Sequence, residues 1–142
     1  MRNLIRNAAR GGNYQFNVGP LASGRFPAPA IRRLREIGGW LAANGEAVYG
    51  TSAGDWPAQP WGEITVRSLP DGAIRIYLHI TNPVADRTLR LAGAGGPASS
   101  AFVLETAQSL ETSFDPALGE LRISLPSELD IDCVPVLVVD LG

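Results

Sequence analysis

The sequence contains no lysine and only one cysteine, one histidine and one methionine among its 142 residues. A single cysteine excludes an internal disulfide and cannot by itself form a zinc site. All 12 basic side chains are therefore arginines, and the formal net charge is -2. Because affinity for nucleic acid depends on the number of phosphates that a protein neutralises, this balance predicts no nucleic-acid partner.

Long apolar runs are absent as well. No stretch of about 18 apolar residues exists, so we expect no membrane span and no membrane partner. The opening MRNLIRNAARGG lacks the apolar core of a secretory signal, and the localisation is left open. With 45% hydrophobic and 18% charged residues, the chain has the composition of a folded protein and is long enough for one ordinary core.

The first 51 residues predict helices and strands in alternation. Apolar spacing suits a helix that runs to Ala9, and a second helix opens at the prolines of residues 27–29 and closes at Asn44-Gly45. YQFNV at 14–18 and EAVYGT at 46–51 predict short strands. The order helix, strand, helix, strand favours a parallel βα arrangement.

After a link rich in glycine and proline at 51–60, the apolar period changes to two. In AIRIYLHIT the side chains of Ile76 and Leu78 are expected to face the core, whereas Tyr77 and His79 are expected on a face outside it. LPDGA at 69–73 predicts a hairpin turn, and about seven short strands predict an antiparallel β-sandwich. The last strand, at 134–139, is apolar on both faces, which predicts a central position or a covering neighbour.

Residues suited to chemistry are sparse. Asp130 and Asp132 are interpreted as solvated turn residues, and Cys133 as a small buried hydrophobe. No cofactor or metal site is predicted. Trp56 and Trp61 flank the link, where they either close the seam between the two parts of the chain or stack on sugar rings.

Several linked motifs resemble one family, the retaining α-L-fucosidases, at their carboxyl-terminal end. GGNYQFNVGPLASGRFP at 11–27 is similar to the family's Gly-Gly-Asn, strand, Asn-Val-Gly-Pro and small-residue loop. RLREIGGWLAANGEAVYGT at 33–51 is similar in order and spacing, and WGEITVR and IYLHI extend the likeness more weakly. Phe16 and the LASG loop depart from the usual pattern, and the loop lacks an acidic residue found in the family.

The resemblance implies an α+β composite fold, in which residues 1–55 are the last βαβ piece of a (β/α)8 catalytic barrel and residues 56–142 are an antiparallel β-sandwich. It also implies a glycosidase that uses an Asp nucleophile and a Glu acid/base, but no position here matches either motif. This chain alone is therefore expected to be inactive, and the alternative is a carbohydrate-binding or interaction module without catalysis.

The same resemblance implies which residues and partners to consider. Asn17 and Tyr49 would lie near the substrate at the carboxyl ends of barrel strands, with Trp56 as a further candidate. The alternative for Asn17 is a structural role in which it tethers the loop. The expected partners are a fucosylated glycan and an amino-terminal barrel, supplied by the rest of the enzyme or by a second chain. Exposed barrel strands also predict self-association. Complete family members are often exported or lysosomal.

Overall fold

The computed structural model describes residues 1–70 and 72–142. Asp71, in the predicted hairpin turn, lies outside the described residues. The described residues contain two helices and eight strands, in chain order α1 Arg2–Ala9, α2 Ala28–Asn44, β1 Ser52–Ala53, β2 Gly62–Ser68, β3 Ile74–Ile80, β4 Thr88–Ala92, β5 Ala98–Val103, β6 Thr112–Asp115, β7 Glu120–Ser124 and β8 Val136–Leu141. Single 3-10 turns lie at Gly45–Ala47, Ala85–Arg87 and Ile131–Cys133. No helix within these described ranges is both long and apolar enough to cross a membrane.

The strands form two antiparallel sheets. One sheet has the order β1-β2-β3-β8-β5, and the other has the order β4-β7-β6. All seven strands predicted beyond residue 60 are confirmed, as are both helices. The predicted hairpin joins β2 to β3, where the amide of Leu69 donates to the carbonyl of Ala73 at 2.8 Å. Gly72 closes this turn with φ of +87°, a conformation that glycine adopts without a steric penalty.

The main core lies between the two sheets. Alternating apolar side chains from both sheets contact one another in a single cluster: Ile64, Ile76, Leu78 and Ile80 from the larger sheet, and Leu89, Leu91, Leu121 and Ile123 from the smaller. The predicted central position of the last strand is confirmed, because β8 pairs with β3 on one side and β5 on the other. The chain from β2 onward is thus a small antiparallel domain of two packed layers.

The second face of the larger sheet is also buried, which corrects the expectation for β3. Tyr77 and His79 are fully buried, although the alternating pattern placed them outside the core. Tyr77 forms a smaller cluster with Ala47, Val136 and Val138, against which Trp40 of α2 packs. The ring centre of His79 lies 6.3 Å from that of Trp40. The alternation identified the two faces correctly but could not show that the α2 segment, which follows no period of two, covers the second one.

The predicted strands at 14–18 and 46–51 are wrong for this chain on its own. Residues 12–21 have no regular secondary structure, and residues 45–49 form a 3-10 turn followed by further turn residues. The amides of Val48 and Tyr49 both donate to the carbonyl of Gly45, at 3.0 and 2.8 Å. A strand requires a neighbour for its ladder of hydrogen bonds, and residues 1–51, all of which are described, contain no such pair.

Helix α1 reaches the same sheet from its β1 edge. Ile5 is fully buried, and Arg6 forms an ion pair with Glu63 of β2 at 3.5 Å. The rest of residues 1–51, which we call the helical segment, is less well covered. Large apolar side chains stay exposed there at Tyr14, Phe16, Leu21, Phe26, Leu34 and Tyr49.

Because exposed apolar side chains gain free energy when they leave water, we expect the isolated chain to self-associate through this segment. Replacing Phe16 and Phe26 together by Ser should shift the chain toward monomer in light scattering. Leu118→Ser, at a still more exposed position between β6 and β7, is the control and should not shift it. A monodisperse wild-type monomer at high concentration would contradict the expectation.

Candidate functional site

The three residues predicted to lie near a substrate do not converge in this chain. Tyr49 is 62% exposed and lines an open cavity of about 470 Å³ together with Tyr14 and residues of α1. Asn17 is exposed in the irregular segment and does not line that cavity. Trp56 borders a different, smaller cavity of about 80 Å³. Of these three residues, Tyr49 is therefore the one that is both exposed and beside the larger open cavity.

The two tryptophans that flank the link pack against the sandwich. Trp61 is only 3% exposed, and its indole N–H donates to the carbonyl of Arg90 at 2.8 Å. The side-chain amide of Gln59 donates to the carbonyl of Ala92 at 3.3 Å and accepts from its backbone N–H at 3.4 Å. Both contacts, the one at Arg90 and the one at Ala92, lie on the outer edge of β4. Trp56 is half-buried against the same core. Trp61 is therefore a core residue whose ring has no free face for a sugar.

An arginine on β2 holds the turn that carries Tyr49. One guanidinium nitrogen of Arg67 donates to the carbonyls of Glu46 and Tyr49, both at 2.6 Å. The guanidinium carbon also lies 5.9 Å from the centre of the Tyr77 ring, within the range of a cation–π contact. These contacts fix both ends of the turn to the sheet.

The carboxylate of Glu46 provides a second attachment of the same turn. It accepts a hydrogen bond from the hydroxyl of Tyr77 at 2.6 Å and lies 3.7 Å from the guanidinium of Arg75. Arg75 in turn forms two hydrogen bonds with Asp140 of β8, both at 3.0 Å, and Ser100 of β5 donates to the same carboxylate. We call Glu46, Arg67, Arg75, Tyr77 and Asp140 the polar clamp.

The protonation states of the clamp residues match the hydrogen bonds that they form. Burial raises the pKa of Tyr77, and the hydrogen bond to Glu46 raises it further, so the hydroxyl stays protonated and remains a donor. The hydrogen bond from Arg75 lowers the pKa of Asp140, which keeps that carboxylate ionised. The sequence analysis missed the clamp. Arginine and tyrosine on the supposed outer face of β3 were a signal that this face is covered by polar partners.

His79 forms a buried network beneath the same turn. The hydroxyl of Thr65 donates to the carbonyl of Ala47 at 2.6 Å, and Nε2 of His79 lies 2.9 Å from that hydroxyl oxygen. Since the hydroxyl has only one proton, Nε2 of His79 must carry the hydrogen that it donates to Thr65. Nδ1 is then the bare nitrogen of a neutral imidazole, and it is buried without a hydrogen-bond partner among the described residues. Burial lowers the pKa of His79 to about 4.

Asp130, one of the two acidic residues interpreted as solvated turn residues, is engaged in structural contacts. Asp130 accepts from the amide of Asp132 and from the thiol of Cys133, at 2.9 and 3.0 Å. The thiol contact lowers the pKa of Asp130, whereas a general acid at neutral pH requires a raised carboxyl pKa. Within residues 1–70 and 72–142 no three His, Cys, Asp or Glu side chains are grouped so that they could hold a metal ion.

Cys133 is exposed, which corrects the expectation that it is a buried hydrophobe. It ends the 3-10 turn before β8, and the following residue, Val134, turns inward instead. The hydrogen bond to Asp130 raises the pKa of the Cys133 thiol, so the thiol is a weaker nucleophile than an ordinary cysteine.

Comparisons with known proteins agree on one class. A family model described as alpha-L-fucosidase matches residues 1–46. Tissue alpha-L-fucosidase of Macaca fascicularis is 30% identical over an alignment of 144 positions, which covers 93% of this chain and 28% of that protein. An alpha-L-fucosidase of Dictyostelium discoideum is 47% identical over 49 residues, or 34% of this chain and 11% of that protein.

A solved structure extends the match to the whole fold. Alpha-L-fucosidase isoenzyme 1 from Paenibacillus thiaminolyticus superposes with a TM-score of 0.85 at 26% identity, over 99% of this chain and 33% of that chain. The two-layer domain with its helical segment is therefore that of a glycoside hydrolase fragment. In sequence and in fold the chain matches a carboxyl-terminal portion of the α-L-fucosidases. It spans less than a third of the length of these curated relatives.

The His79 network predicts a specific pH dependence of stability. Because the folded-state pKa of about 4 lies below the ordinary 6.5, the unfolded chain binds the proton first as the pH falls. The contribution of His79 is complete above pH 6.5 and is lost progressively between 6.5 and 4. Between pH 7 and 5 the free energy of unfolding should fall by about 2 kcal/mol. Denaturant titrations at the two pH values measure this change.

His79→Gln is the matched variant, because glutamine can still donate to Thr65 but does not titrate. Since His79 is the sole histidine, the variant should lose much less stability than the wild type over this range. Equal losses in the two proteins would show that His79 is not the titrating group.

The polar clamp predicts the effect of a small substitution. Tyr77→Phe removes one hydroxyl and its hydrogen bond to the Glu46 carboxylate, and it should lower the free energy of unfolding by about 1–2 kcal/mol. Tyr14→Phe removes a hydroxyl from an exposed ring and serves as the control, with a change near zero. Thermal or urea unfolding that gives similar values for both variants would mean that the clamp contributes no net stability.

Proposed function

We propose that this chain is the terminal part of an enzyme that hydrolyses α-L-fucosides with retention of anomeric configuration. In this proposal residues 1–55 are the last piece of a (β/α)8 catalytic barrel, and residues 56–142 are its β-sandwich domain. The observation that carries the proposal is the superposition on the Paenibacillus thiaminolyticus enzyme, which covers nearly all of this chain but only a third of that one.

The exposed apolar side chains of residues 14–49 support the barrel assignment. In a closed parallel barrel each strand has two neighbours, and its side chains pack into the interior or against the outer helices. Segments 14–18 and 46–51 would then acquire the ladder partners that they lack in the isolated chain. The half-exposed apolar stripe of α2, including Leu34, would likewise be covered.

The catalytic carboxylates are proposed to lie on the barrel portion outside these residues. A retaining glycosidase requires two carboxyl groups about 5–5.5 Å apart, one as nucleophile and one as general acid and base. In this chain Glu46 and Asp140 bind arginines within the clamp, and Asp115 and Glu120 both form ion pairs with Arg122. The engagement of these four carboxylates with arginines supports the proposal that another portion or a second chain supplies the Asp nucleophile and the Glu acid/base.

Tyr49 and Asn17 are proposed to lie near the fucose ring in the complete enzyme. Both stand toward the carboxyl ends of the segments that would become barrel strands, and in such barrels those ends form the active site. Tyr49 has the stronger support, because its ring is exposed beside an open cavity and its backbone is held by Arg67. Trp56 is a weaker candidate, since its ring is half-buried against the sandwich core.

A free-standing carbohydrate-binding module is the alternative, and the geometry gives it less support. Such modules need an exposed aromatic ring on which a sugar can stack. Trp61 is buried and Trp56 is half-buried, so the sandwich presents neither ring fully. Calorimetric titration with fucosylated glycans distinguishes the two functions, because binding by the isolated chain that Trp56→Ala weakens would favour the module.

The enzymatic proposal predicts that the chain is inactive alone and active when a barrel is supplied. The isolated chain should not hydrolyse an aryl α-L-fucoside. Coexpression with the preceding portion of the Paenibacillus thiaminolyticus enzyme should give an assembly that does, while that portion alone does not. Turnover by the isolated chain at an ordinary enzymatic rate would show that the catalytic carboxylates lie within these residues.

A further inference from the structure

We propose that Arg67 is a positioning residue, which from the sandwich fixes the orientation of Tyr49 at the substrate side of the enzyme. This inference rests on the proposed function, because it is that function that places Tyr49 beside the sugar. It assigns to the sandwich a direct part in shaping the site, in addition to stabilising the barrel.

The turn that carries Tyr49 leaves two carbonyls for Arg67. Within the turn the amides of Val48 and Tyr49 donate to Gly45, and the hydroxyl of Thr51 donates to the carbonyl of Val48 at 2.9 Å. The carbonyls of Glu46 and Tyr49 instead accept from one nitrogen of Arg67. Because these carbonyls lie at the start and the end of the turn, a single side chain spans the turn and restricts how it is oriented relative to the sheet.

Arg67 is itself held in a narrow range of positions. It belongs to β2, which is paired with β1 on one side and β3 on the other. Its guanidinium lies over the ring of Tyr77, which is fully buried and cannot move aside. Because the guanidinium of Arg67 is held by the sheet and by an aromatic ring, it also holds in place the carbonyls that it binds.

The charges favour one docked arrangement of the turn. Arg67 and Arg75 stand directly opposite each other on β2 and β3, a like-charge pair that is unfavourable on its own. Glu46, which belongs to the turn, places its carboxylate 3.7 Å from Arg75. Arg75 already binds Asp140 of β8, and the turn adds a second carboxylate beside the arginine pair, which displacing the turn would remove.

The first test measures the turn in the isolated chain and needs no activity. In Arg67→Met, hydrogen exchange at the amides of Val48 and Tyr49 should accelerate about tenfold, while exchange at Leu78 in β3 stays unchanged. Arg67→Lys should accelerate exchange less, because lysine keeps the charge and can still donate. Arg122→Met removes an ion-paired arginine from the other sheet and is the matched control. Unchanged exchange at Val48 and Tyr49 in Arg67→Met would overturn the proposal.

The second test uses the assembled enzyme and asks whether Arg67 acts through Tyr49. We expect Arg67→Met and Tyr49→Ala each to lower kcat/KM by about tenfold, and the double variant to lower it little further than either alone, because residues that act as a unit are not additive. Fully additive effects would overturn the positioning role. If the assembly with the unaltered chain is inactive, the proposed function fails, whereas the exchange measurement still decides whether Arg67 fixes the turn.

Discussion

Strands β3 and β8 bury side chains on both of their faces, and the larger sheet must therefore be covered twice. The three-stranded sheet covers one face and encloses the main core. The end of α2 and the turn after it cover the other, where Ala47 and Trp40 meet Tyr77, Val136 and Val138. Apolar burial of this kind is the largest favourable term in folding, so the helical segment and the sandwich are energetically one unit across this face.

Polar contacts determine how the end of α2 and the turn after it are positioned on the second face of the larger sheet. Apolar packing alone tolerates small shifts, but the indole N–H of Trp40 donates to the carbonyl of Val134, and Thr65 donates to the carbonyl of Ala47. These bonds and those of the polar clamp join the end of α2 and the turn after it to the sandwich. Each loses its partner if the segment slides, and an unpaired buried polar group is costly. On the second face, apolar packing therefore supplies the attraction, and the polar contacts specify the position of the helical segment on the sheet.

The sequence predicted the elements whose stability is local or periodic. Seven strands and two helices were found from alternation, apolar spacing and proline or glycine at their ends. The segments at 14–18 and 46–51 have strand-like composition, but a strand exists only with a partner, and composition does not supply one. The burial of His79 and the clamp around Glu46 depend on contacts between residues far apart in the chain, which no local pattern encodes. For the site, the family motifs indicated Tyr49 and Asn17, whereas Arg67 lay in a strand whose pattern marked it only as polar.

The backbone groups at the edges of both sheets affect how copies of this chain can associate. The edge of β4 already gives its outward carbonyl of Arg90 to Trp61 and both backbone groups of Ala92 to Gln59. The outer side of β5 is bonded by Gln108 and Leu110, while β1 and β6 are only two and four residues long. A foreign strand thus finds little free backbone to extend either sheet, so open-ended fibre growth by strand addition is disfavoured. We therefore expect copies of this chain to associate through the exposed apolar side chains of residues 14–49 instead.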